Sequence, residues 1–184
     1  KRKLSRRLSS PCPWEFRIMF ARFLIAVTFV VFASAPAAAE QPREPEPAFL
    51  VGNGGVFDII NEDTTPQVGV EYIFSEENKL WVFTPMVGGF VTGDEAVYVY
   101  GGIRLDLFFG RRIVLTPNFA VGLFEEGNGR ALGQPLEFRS GLELAYRFDN
   151  RSRLGLAFHH LSNAGLSERN PGVETLVLRY SFPM

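Results

Sequence analysis

The sequence predicts an all-β fold, an eight-stranded antiparallel transmembrane β-barrel of the bacterial outer membrane. From residue 48 onward, apolar and polar side chains alternate with a period of two, in segments of about ten residues separated by turn residues. Strands of that length cross a bilayer when they are tilted. The N-terminal part of the sequence also has the pattern of an export signal.

The predicted export signal occupies residues 1–39. A basic stretch over residues 1–22 is followed by an apolar run from Phe23 to Phe32 and by a small-residue cleavage site that ends at Ala39. The apolar run is too short for a transmembrane helix, which needs about 20 apolar residues. We therefore predict a secretory signal peptide that is cleaved after Ala39.

The remaining boundaries concern the start of translation and the start of the barrel. If translation starts at Met19, residues 1–18 are an over-extended start, because a signal of ordinary form begins at that methionine. Residues 40–47 are a short proline-rich leader, which we expect to be extended and mobile. Residues 48–184 form the predicted barrel domain.

Eight segments carry the alternation in the barrel domain. The first, at about 48–60, and the third, at 80–91, contain glycines that interrupt the pattern and indicate bulges or close packing. The other six are regular, and in each one the apolar members occupy one face of the strand. These apolar members are Val68, Val70, Tyr72 and Phe74 in the second segment; Val97, Val99, Gly101, Ile103, Leu105, Leu107 and Phe109 in the fourth; Ile113, Leu115, Phe119 and Val121 in the fifth; Leu136, Phe138, Ser140, Leu142, Leu144, Tyr146 and Phe148 in the sixth; Leu154, Leu156 and Phe158 in the seventh; and Leu176, Leu178, Tyr180 and Phe182 in the eighth.

This pattern fits two kinds of β architecture. In a water-soluble sandwich or lipocalin-like barrel the apolar face is buried, whereas in a membrane barrel it meets lipid and the polar face fills the lumen. The export signal favours the membrane barrel, as do polar faces with both signs of charge and aromatic residues at strand ends. The charged members are Glu71, Arg104, Asp106, Glu137, Arg139, Glu143 and Arg147, and the aromatic ones are Tyr72, Phe74, Trp81, Phe108, Phe109, Tyr146, Phe148, Tyr180 and Phe182.

The lengths of the connections orient the predicted barrel. Membrane barrels have short periplasmic turns and longer outer loops. Asp149-Asn150 is a two-residue turn of the kind that hairpins prefer, and Gly110-Arg111 is nearly as tight. We assign these turns to the periplasmic rim, together with residues 75–79. The opposite, outer rim then carries residues 61–66, 92–95, 125–135 and 163–172.

A histidine, a serine and a glutamate fall on the predicted lipid-facing side at the outer rim. Counting by two from Leu154 places His160 and Ser162 on that face, and the same count along the eighth segment places Glu174 there. His159 has the opposite parity and points inward. Adjacent strands are ~5 Å apart, so the imidazole can reach the carboxylate. A serine needs a base to become a nucleophile, and the base needs a partner that fixes its tautomer. The alternative interpretation is an interfacial polar patch without chemistry.

A short motif in this region resembles that of a known family. It consists of His160-Leu161-Ser162-Asn163-Ala164-Gly165, then Asn170-Pro171-Gly172 and Glu174, ahead of an alternating strand. The motif resembles that of the PagL family of lipid A 3-O-deacylases, which are outer-membrane esterases with an eight-stranded barrel fold. The resemblance is strongest over residues 155–184, and elsewhere the strand pattern and the length agree.

The resemblance implies roles for individual residues. It makes Ser162 the nucleophile, His160 the base and Glu174 the acid that orients the base. The other members of the motif are implied to bind the oxyanion or to position the substrate: Asn163, Asn170, Ala164 and Gly165.

The expected substrate follows from the place of the triad and from the resemblance. A site at the outer edge of the lipid-facing wall suits a lipid that arrives laterally in the outer leaflet, and in a bacterial outer membrane that lipid is lipopolysaccharide. We therefore expect hydrolysis of the ester that links a hydroxyacyl chain to the 3 position of lipid A. Apolar side chains that could form a shallow groove for acyl chains are Leu156, Phe158, Leu176 and Leu178.

Two other functions stay open on the sequence alone. One is a non-catalytic barrel with a structural or adhesive role, and the other is a lipid A acyltransferase that uses the same serine. The balance of 19 Lys+Arg against 20 Asp+Glu gives no basis for a nucleic-acid partner. We predict no cofactor and no metal, because no cluster of histidine and aspartate has ligand spacing. A homo-oligomer is left open.

Overall fold

The computed structural model describes residues 44–60 and 64–184. The predicted signal peptide and residues 40–43 of the leader lie outside the described residues. Within the described residues, no helix is long and apolar enough to cross a membrane. The same part of the chain forms nine β-strands and a short 3-10 helix, Glu76–Asn78. The strands are β1 (Phe49–Phe57), β2 (Thr65–Ile73), β3 (Thr84–Thr92), β4 (Val97–Arg104), β5 (Leu107–Phe109), β6 (Ile113–Glu125), β7 (Leu136–Arg147), β8 (Arg153–Ser162) and β9 (Val173–Pro183).

The strands form one closed antiparallel barrel. Their order is β4-β3-β2-β1-β9-β8-β7-β6-β5, and β4 also pairs with β6, which closes the sheet. β4 and β5 pair with β6 in one continuous register, with Arg104 opposite Asn118 and Leu107 opposite Leu115. These two short strands therefore form one barrel strand, and the predicted eight-stranded barrel is confirmed.

The interruption between β4 and β5 departs from the sequence-based expectation of one unbroken fourth segment. At this level the neighbouring residue of β6 is Pro117, whose nitrogen has no hydrogen to donate to the ladder. Leu105 still donates its N–H to the Pro117 carbonyl over 3.1 Å. The side chain of Asp106, the next residue, accepts a hydrogen bond from the Arg104 guanidinium at 3.0 Å. A missing donor on the partner strand thus explains the gap.

Apolar side chains face outward on this barrel and charged ones face inward. Along β8 the odd-numbered residues are buried, whereas the even-numbered ones are exposed or half-buried, and β9 shows the same alternation. Leu156 is 51% exposed on the outer wall, and Arg153 is 1% exposed in the lumen. A water-soluble barrel has the reverse distribution, so the lipocalin-like alternative is wrong. This outer wall is that of a barrel surrounded by hydrocarbon.

Ion pairs between buried side chains fill the middle of the lumen. Glu71 accepts hydrogen bonds from Arg179 Nη2 at 2.6 Å and from Arg139 Nη2 at 3.3 Å. Glu143 lies 3.2 Å from Arg179 Nε and 3.6 Å from Arg104 Nη2. Each of these buried carboxylates faces at least two guanidinium groups, so the charges of the predicted polar face compensate one another inside the barrel.

One of the short turns differs in detail from its prediction. Asp149-Asn150 is not a two-residue turn but part of a three-residue loop, which is closed by a 2.9 Å hydrogen bond from the Phe148 N–H to the Ser152 carbonyl. The third loop residue, Arg151, has a φ of 67°, the left-handed conformation that usually ends such a loop. The turn is still short, as a periplasmic turn is expected to be.

Glu46 corrects the expected boundary of the barrel domain. Glu46 falls in the segment that the sequence predicts to be a mobile leader. Its side chain is nevertheless buried, with 6% exposed. Its carboxylate lies 2.9 Å from Arg147 Nη2 and 3.0 Å from Arg153 Nη2. Two guanidinium groups of the lumen hold this carboxylate, so the packed part of the barrel begins before residue 48.

Candidate active site

The hairpin formed by β8 and β9 brings the predicted catalytic residues to one patch. The two strands are antiparallel neighbours, and His160 lies directly opposite Glu174. Both residues and Ser162 are half-buried on the outward face. His159 is 3% exposed in the lumen, with Nδ1 at 3.4 Å from the Thr175 hydroxyl. All four residues therefore lie on the sides that the count by two predicts.

Glu174 holds the imidazole of His160 in one orientation. Nδ1 of His160 lies 3.0 Å from Oε1 of Glu174. An ionised carboxylate only accepts hydrogen bonds, so in the neutral imidazole the proton is assigned to Nδ1. Nε2 then carries the lone pair, and an imidazole in this form can act as a general base.

Two serines neighbour His160 on the outward face of the barrel. Ser162 follows His160 on the same face of β8, and Ser140 of β7 lies directly opposite His160. Within the described residues the Ser162 hydroxyl has no hydrogen-bond partner, so its contact with His160 is not formed in this conformation. The alternation correctly predicts that Ser140 faces outward. Its position beside His160 is not predicted, because it depends on the register between β7 and β8.

The edge of the imidazole between Cε1 and Nε2 faces Gly172. A Cβ atom added to this glycine would lie 3.0 Å from Cε1 and 3.7 Å from Nε2 of His160. Gly172 precedes Val173, which pairs with Leu161, so Gly172 is at the level of Ser162 along the strands. The ring edge that bears Nε2 is therefore turned toward the level of Ser162.

Asn163 anchors the loop that joins β8 to β9. Its side chain is fully buried, and Nδ2 donates to the Leu132 carbonyl at 3.1 Å and to the Arg169 carbonyl at 2.8 Å. Its Oδ1 accepts the Gly165 N–H at 3.0 Å, and its own N–H donates to Oδ1 of Asn170 at 3.1 Å. Both side-chain N–H groups and the backbone N–H of Asn163 are thus used within the protein.

The two residues after Asn163 form a turn of left-handed residues. Ala164 has a φ of 55° and Gly165 a φ of 81°, and the Leu166 N–H donates to the Asn163 carbonyl at 3.0 Å. Positive φ at both central residues is the conformation of a type I′ turn. Within the described part of the chain, the Ala164 N–H forms no hydrogen bond. Of the predicted oxyanion groups, the Ala164 N–H is thus a backbone donor two residues after Ser162, and Asn170 is a side-chain amide whose oxygen accepts the Asn163 N–H.

A second loop, residues 125–135, packs against the loop of Asn163. Leu132 is 1% exposed beneath it, and the Ser167 hydroxyl donates to the Gly133 carbonyl at 3.5 Å. A Cβ atom added to Gly133 would lie only 2.0 Å from the Arg169 carbonyl oxygen, so a glycine is required at this close approach. Both loops are predicted at the outer rim, but no feature of the sequence indicates that they are joined.

Apolar side chains continue down the outer wall from the His160–Glu174 pair. Phe158 of β8 pairs with Leu176 of β9, and Leu156 pairs with Leu178 one step further along the strands. Their side chains are 39%, 36%, 51% and 56% exposed, in that order. The four residues predicted to contact acyl chains are therefore contiguous on the outward face, where they form an open strip.

The candidate site offers acid–base and nucleophilic groups. Among residues 44–60 and 64–184, no three His, Cys, Asp or Glu side chains are grouped in a way that could hold a metal ion.

The fold and the site together define a class of protein, a closed eight-stranded β-barrel that carries a serine, a histidine and a glutamate on its outward wall. A family model described as lipid A 3-O-deacylase (PagL) matches residues 66–183. This chain belongs to that family.

Two individual relatives agree with the family match. The lipid A deacylase PagL of Bordetella bronchiseptica is 27% identical over 137 residues, which are 71% of this chain and 65% of that protein's length. A solved structure described as the crystal structure of the outer membrane enzyme PagL superimposes with a TM-score of 0.58 at 21% identity, covering 74% of this chain and 99% of that one. The structural likeness supports the barrel fold.

Proposed function

We propose that this protein is an outer-membrane esterase that removes the 3-O-linked hydroxyacyl chain from lipid A of lipopolysaccharide. Membership of the family supports the type of reaction. The observation that carries the assignment of residues is the 3.0 Å contact between His160 Nδ1 and Glu174 Oε1, on the outward wall beside Ser162. The substrate would meet this wall laterally, with its ester bonds near the headgroups at the outer rim.

Acylation of Ser162 is the first step of the proposed reaction. Nε2 of His160 removes the hydroxyl proton while Oγ of Ser162 attacks the carbonyl carbon of the ester. Glu174 keeps the proton on Nδ1 and stabilises the imidazolium that forms. The bond from the carbonyl carbon to the sugar oxygen then breaks, and Nε2 returns the proton to that oxygen. The hydroxyl group on the sugar is restored, and the acyl chain stays on Ser162.

Hydrolysis of the acyl-enzyme completes the cycle. His160 removes a proton from a water molecule, and the water oxygen attacks the acyl carbon. The bond to Oγ of Ser162 breaks, a hydroxy fatty acid leaves, and the serine takes back its proton. Hydrogen bonds of this kind are often long in a free enzyme and shorten once substrate is bound. The open distance between Ser162 and His160 in the present conformation is therefore compatible with this role.

Two amide groups, the Ala164 N–H and the Asn170 side chain, are proposed to bind the oxyanion. The Ala164 N–H lies two residues after the nucleophile, and the Asn170 amide is oriented because its oxygen accepts the Asn163 N–H. A donor aimed at the developing negative charge contributes about 3 kcal/mol to transition-state stabilisation. Asn163 would act indirectly, through the loop that it holds, and Gly165 would form the turn that presents Ala164.

The strip formed by Leu156, Phe158, Leu176 and Leu178 would receive an acyl chain. It begins directly below His160 and Glu174, and it faces the hydrocarbon. A chain attached to the reacting ester can lie along this strip without leaving the lipid phase, so binding requires little desolvation of polar groups.

Mass spectrometry of lipid A tests the proposal directly. Lipid A from cells that make the wild-type protein should lack one hydroxyacyl mass, and the Ser162→Ala variant should leave lipid A unchanged. Ser140→Ala is the matched control, because this second serine also neighbours His160 but lies on β7, on the side of β8 opposite to Glu174. It should trim lipid A as the wild type does.

Each other outcome of this experiment has a definite meaning. A gain of acyl mass would support the acyltransferase, and no change with wild-type protein would support a structural barrel. Full activity of Ser162→Ala with loss of activity in Ser140→Ala would move the nucleophile to β7.

A further inference from the structure

Gly172 lies where a side chain would interfere with the catalytic base. A Cβ atom there would come within 3.0 Å of Cε1 of His160, and the neighbour would have to shift by a few tenths of an ångström. His160 cannot turn freely to avoid it, because Nδ1 is held by Glu174 at 3.0 Å. Any such shift therefore strains the contact that sets the tautomer of the base.

The space beside Gly172 also lies on the path of the reaction. Nε2 of His160 would be 3.7 Å from the added Cβ, and Gly172 is at the level of Ser162 on the neighbouring strand. Proton transfer requires Oγ of Ser162, and later the oxygen of the leaving sugar, to approach Nε2 from this side. Atoms of a side chain at position 172 would occupy part of that approach.

We propose that Gly172 is a positioning residue of the active site, whose missing side chain keeps the Nε2 edge of His160 open to Ser162 and to the sugar oxygen of the substrate. This inference rests on the proposed esterase function. It assigns to Gly172 a role in chemistry in addition to its backbone conformation, which has a φ of 64°.

The backbone conformation and the open space can be separated with a matched control. Gly110 has a φ of 68°, yet a Cβ atom added there has no atom within 4 Å. Gly110→Ala therefore imposes the same left-handed strain as Gly172→Ala, at the opposite rim and without a new contact. Any effect that only Gly172→Ala shows comes from the space beside His160.

The test compares the wild type with Gly172→Ala and Gly110→Ala, all as folded barrels in detergent micelles. The first readout is the rate at which a fluorophosphonate labels the protein, a reaction in which Oγ of Ser162 binds phosphorus, fluoride leaves and His160 takes the proton. The second readout is the pair of kinetic constants, kcat and KM, for lipid A. We expect Gly172→Ala to lower the labelling rate and kcat by at least about 10-fold with KM little changed, because small displacements of a catalytic group are costly. For Gly110→Ala the labelling rate and kcat should stay within about two-fold of the wild-type values, because this substitution displaces no catalytic group.

A Gly172→Ala variant that labels and turns over as fast as Gly110→Ala overturns the inference. Wild-type protein that neither labels nor trims lipid A overturns the proposed function itself, so the two failures are distinguishable.

A measurement on the wild type covers the case in which Gly172→Ala does not fold. The amide resonances of Gly172 and Gly110 are recorded by NMR before and after Ser162 is phosphonylated. If the space beside Gly172 receives the reacting group, the Gly172 signal shifts and the Gly110 signal does not. An unchanged Gly172 signal overturns the inference.

Discussion

At the residue scale, the candidate chemistry depends on a contact between two strands. His160 and Glu174 are fourteen residues apart in sequence, but the register of β8 and β9 places them directly opposite each other. Each side chain is only partly exposed, at 36% and 21%. A partly desolvated pair of this kind orients the imidazole more firmly than a fully hydrated pair would, because water competes less for the carboxylate.

Replacement of Glu174 by glutamine should remove the negative charge while keeping the shape of the side chain. The amide can no longer stabilise the imidazolium, so kcat should fall by about 100-fold to 10,000-fold, as when the acid of a serine triad is neutralised. The measurement is the rate of hydroxy fatty acid release from lipid A in micelles. Glu168→Gln, which changes an exposed acid of the adjoining loop between β8 and β9, should have no effect. Retention of turnover by Glu174→Gln would remove Glu174 from the mechanism.

At the scale of structural elements, the buried side chain of Asn163 connects the loop between β8 and β9 to the neighbouring loop, residues 125–135. Asn163 bonds its own loop at Arg169 and the neighbouring loop at Leu132. The N–H groups of Gly165 and Asn163 are used in the same network. The loop that presents Ala164 beside Ser162 is thus ordered by contacts that involve none of Ser162, His160 and Glu174.

Replacement of Asn163 by alanine should therefore loosen both loops. The carbonyl groups of Leu132 and Arg169 lose their donor, which costs about 1–3 kcal/mol where water does not reach the carbonyl. We expect faster hydrogen exchange at the Leu166 and Arg169 amides and a lower kcat, with the barrel strands still protected. Asn128→Ala is the control, since the Asn128 side chain bonds Glu95 on the exposed surface. Equal exchange rates in the two variants would show that Asn163 does not hold the loop.

The sequence predicted most of the barrel but little of these loop contacts. Alternation is a local property, so counting by two correctly placed His160 outward and His159 inward. The neighbours of His160 depend on register, and so Ser140 was missed. The interruption of the strand at Asp106 was not predicted, because it is caused by Pro117, which lies on another strand. Asn163 is assigned to the oxyanion hole by resemblance, whereas its Nδ2 donates to Arg169 of its own loop and to Leu132, which lies 31 residues away in sequence.

At the scale of the whole molecule, the barrel combines an apolar exterior with a charged interior. The outer wall gains nothing from burial against protein, so the interior holds the strands together, through paired charges, hydrogen bonds and a cluster of buried apolar side chains. Glu71 is central to this arrangement, because it contacts Arg179, Arg139 and the Tyr100 hydroxyl. Glu46 extends the same principle to the short-turn rim, where it pairs with lumen arginines.

Replacement of Glu71 by glutamine should destabilise the whole barrel and leave the active site intact. Two buried guanidinium groups, Arg179 and Arg139, would lose their shared counter-charge, and removal of one partner from a buried pair costs about 3–5 kcal/mol. The midpoint of urea unfolding in micelles, followed by the electrophoretic mobility of the folded barrel, should therefore fall. The exposed Glu77, replaced by glutamine, is the control and should not shift the midpoint. Turnover per folded molecule should be unchanged, because Glu71 points into the lumen and the proposed triad of Ser162, His160 and Glu174 faces outward. If the midpoint stays that of the wild type, the ion pairs of Glu71 do not contribute to the stability of the barrel, which then rests on hydrogen bonding between the strands and on the apolar side chains buried in the interior.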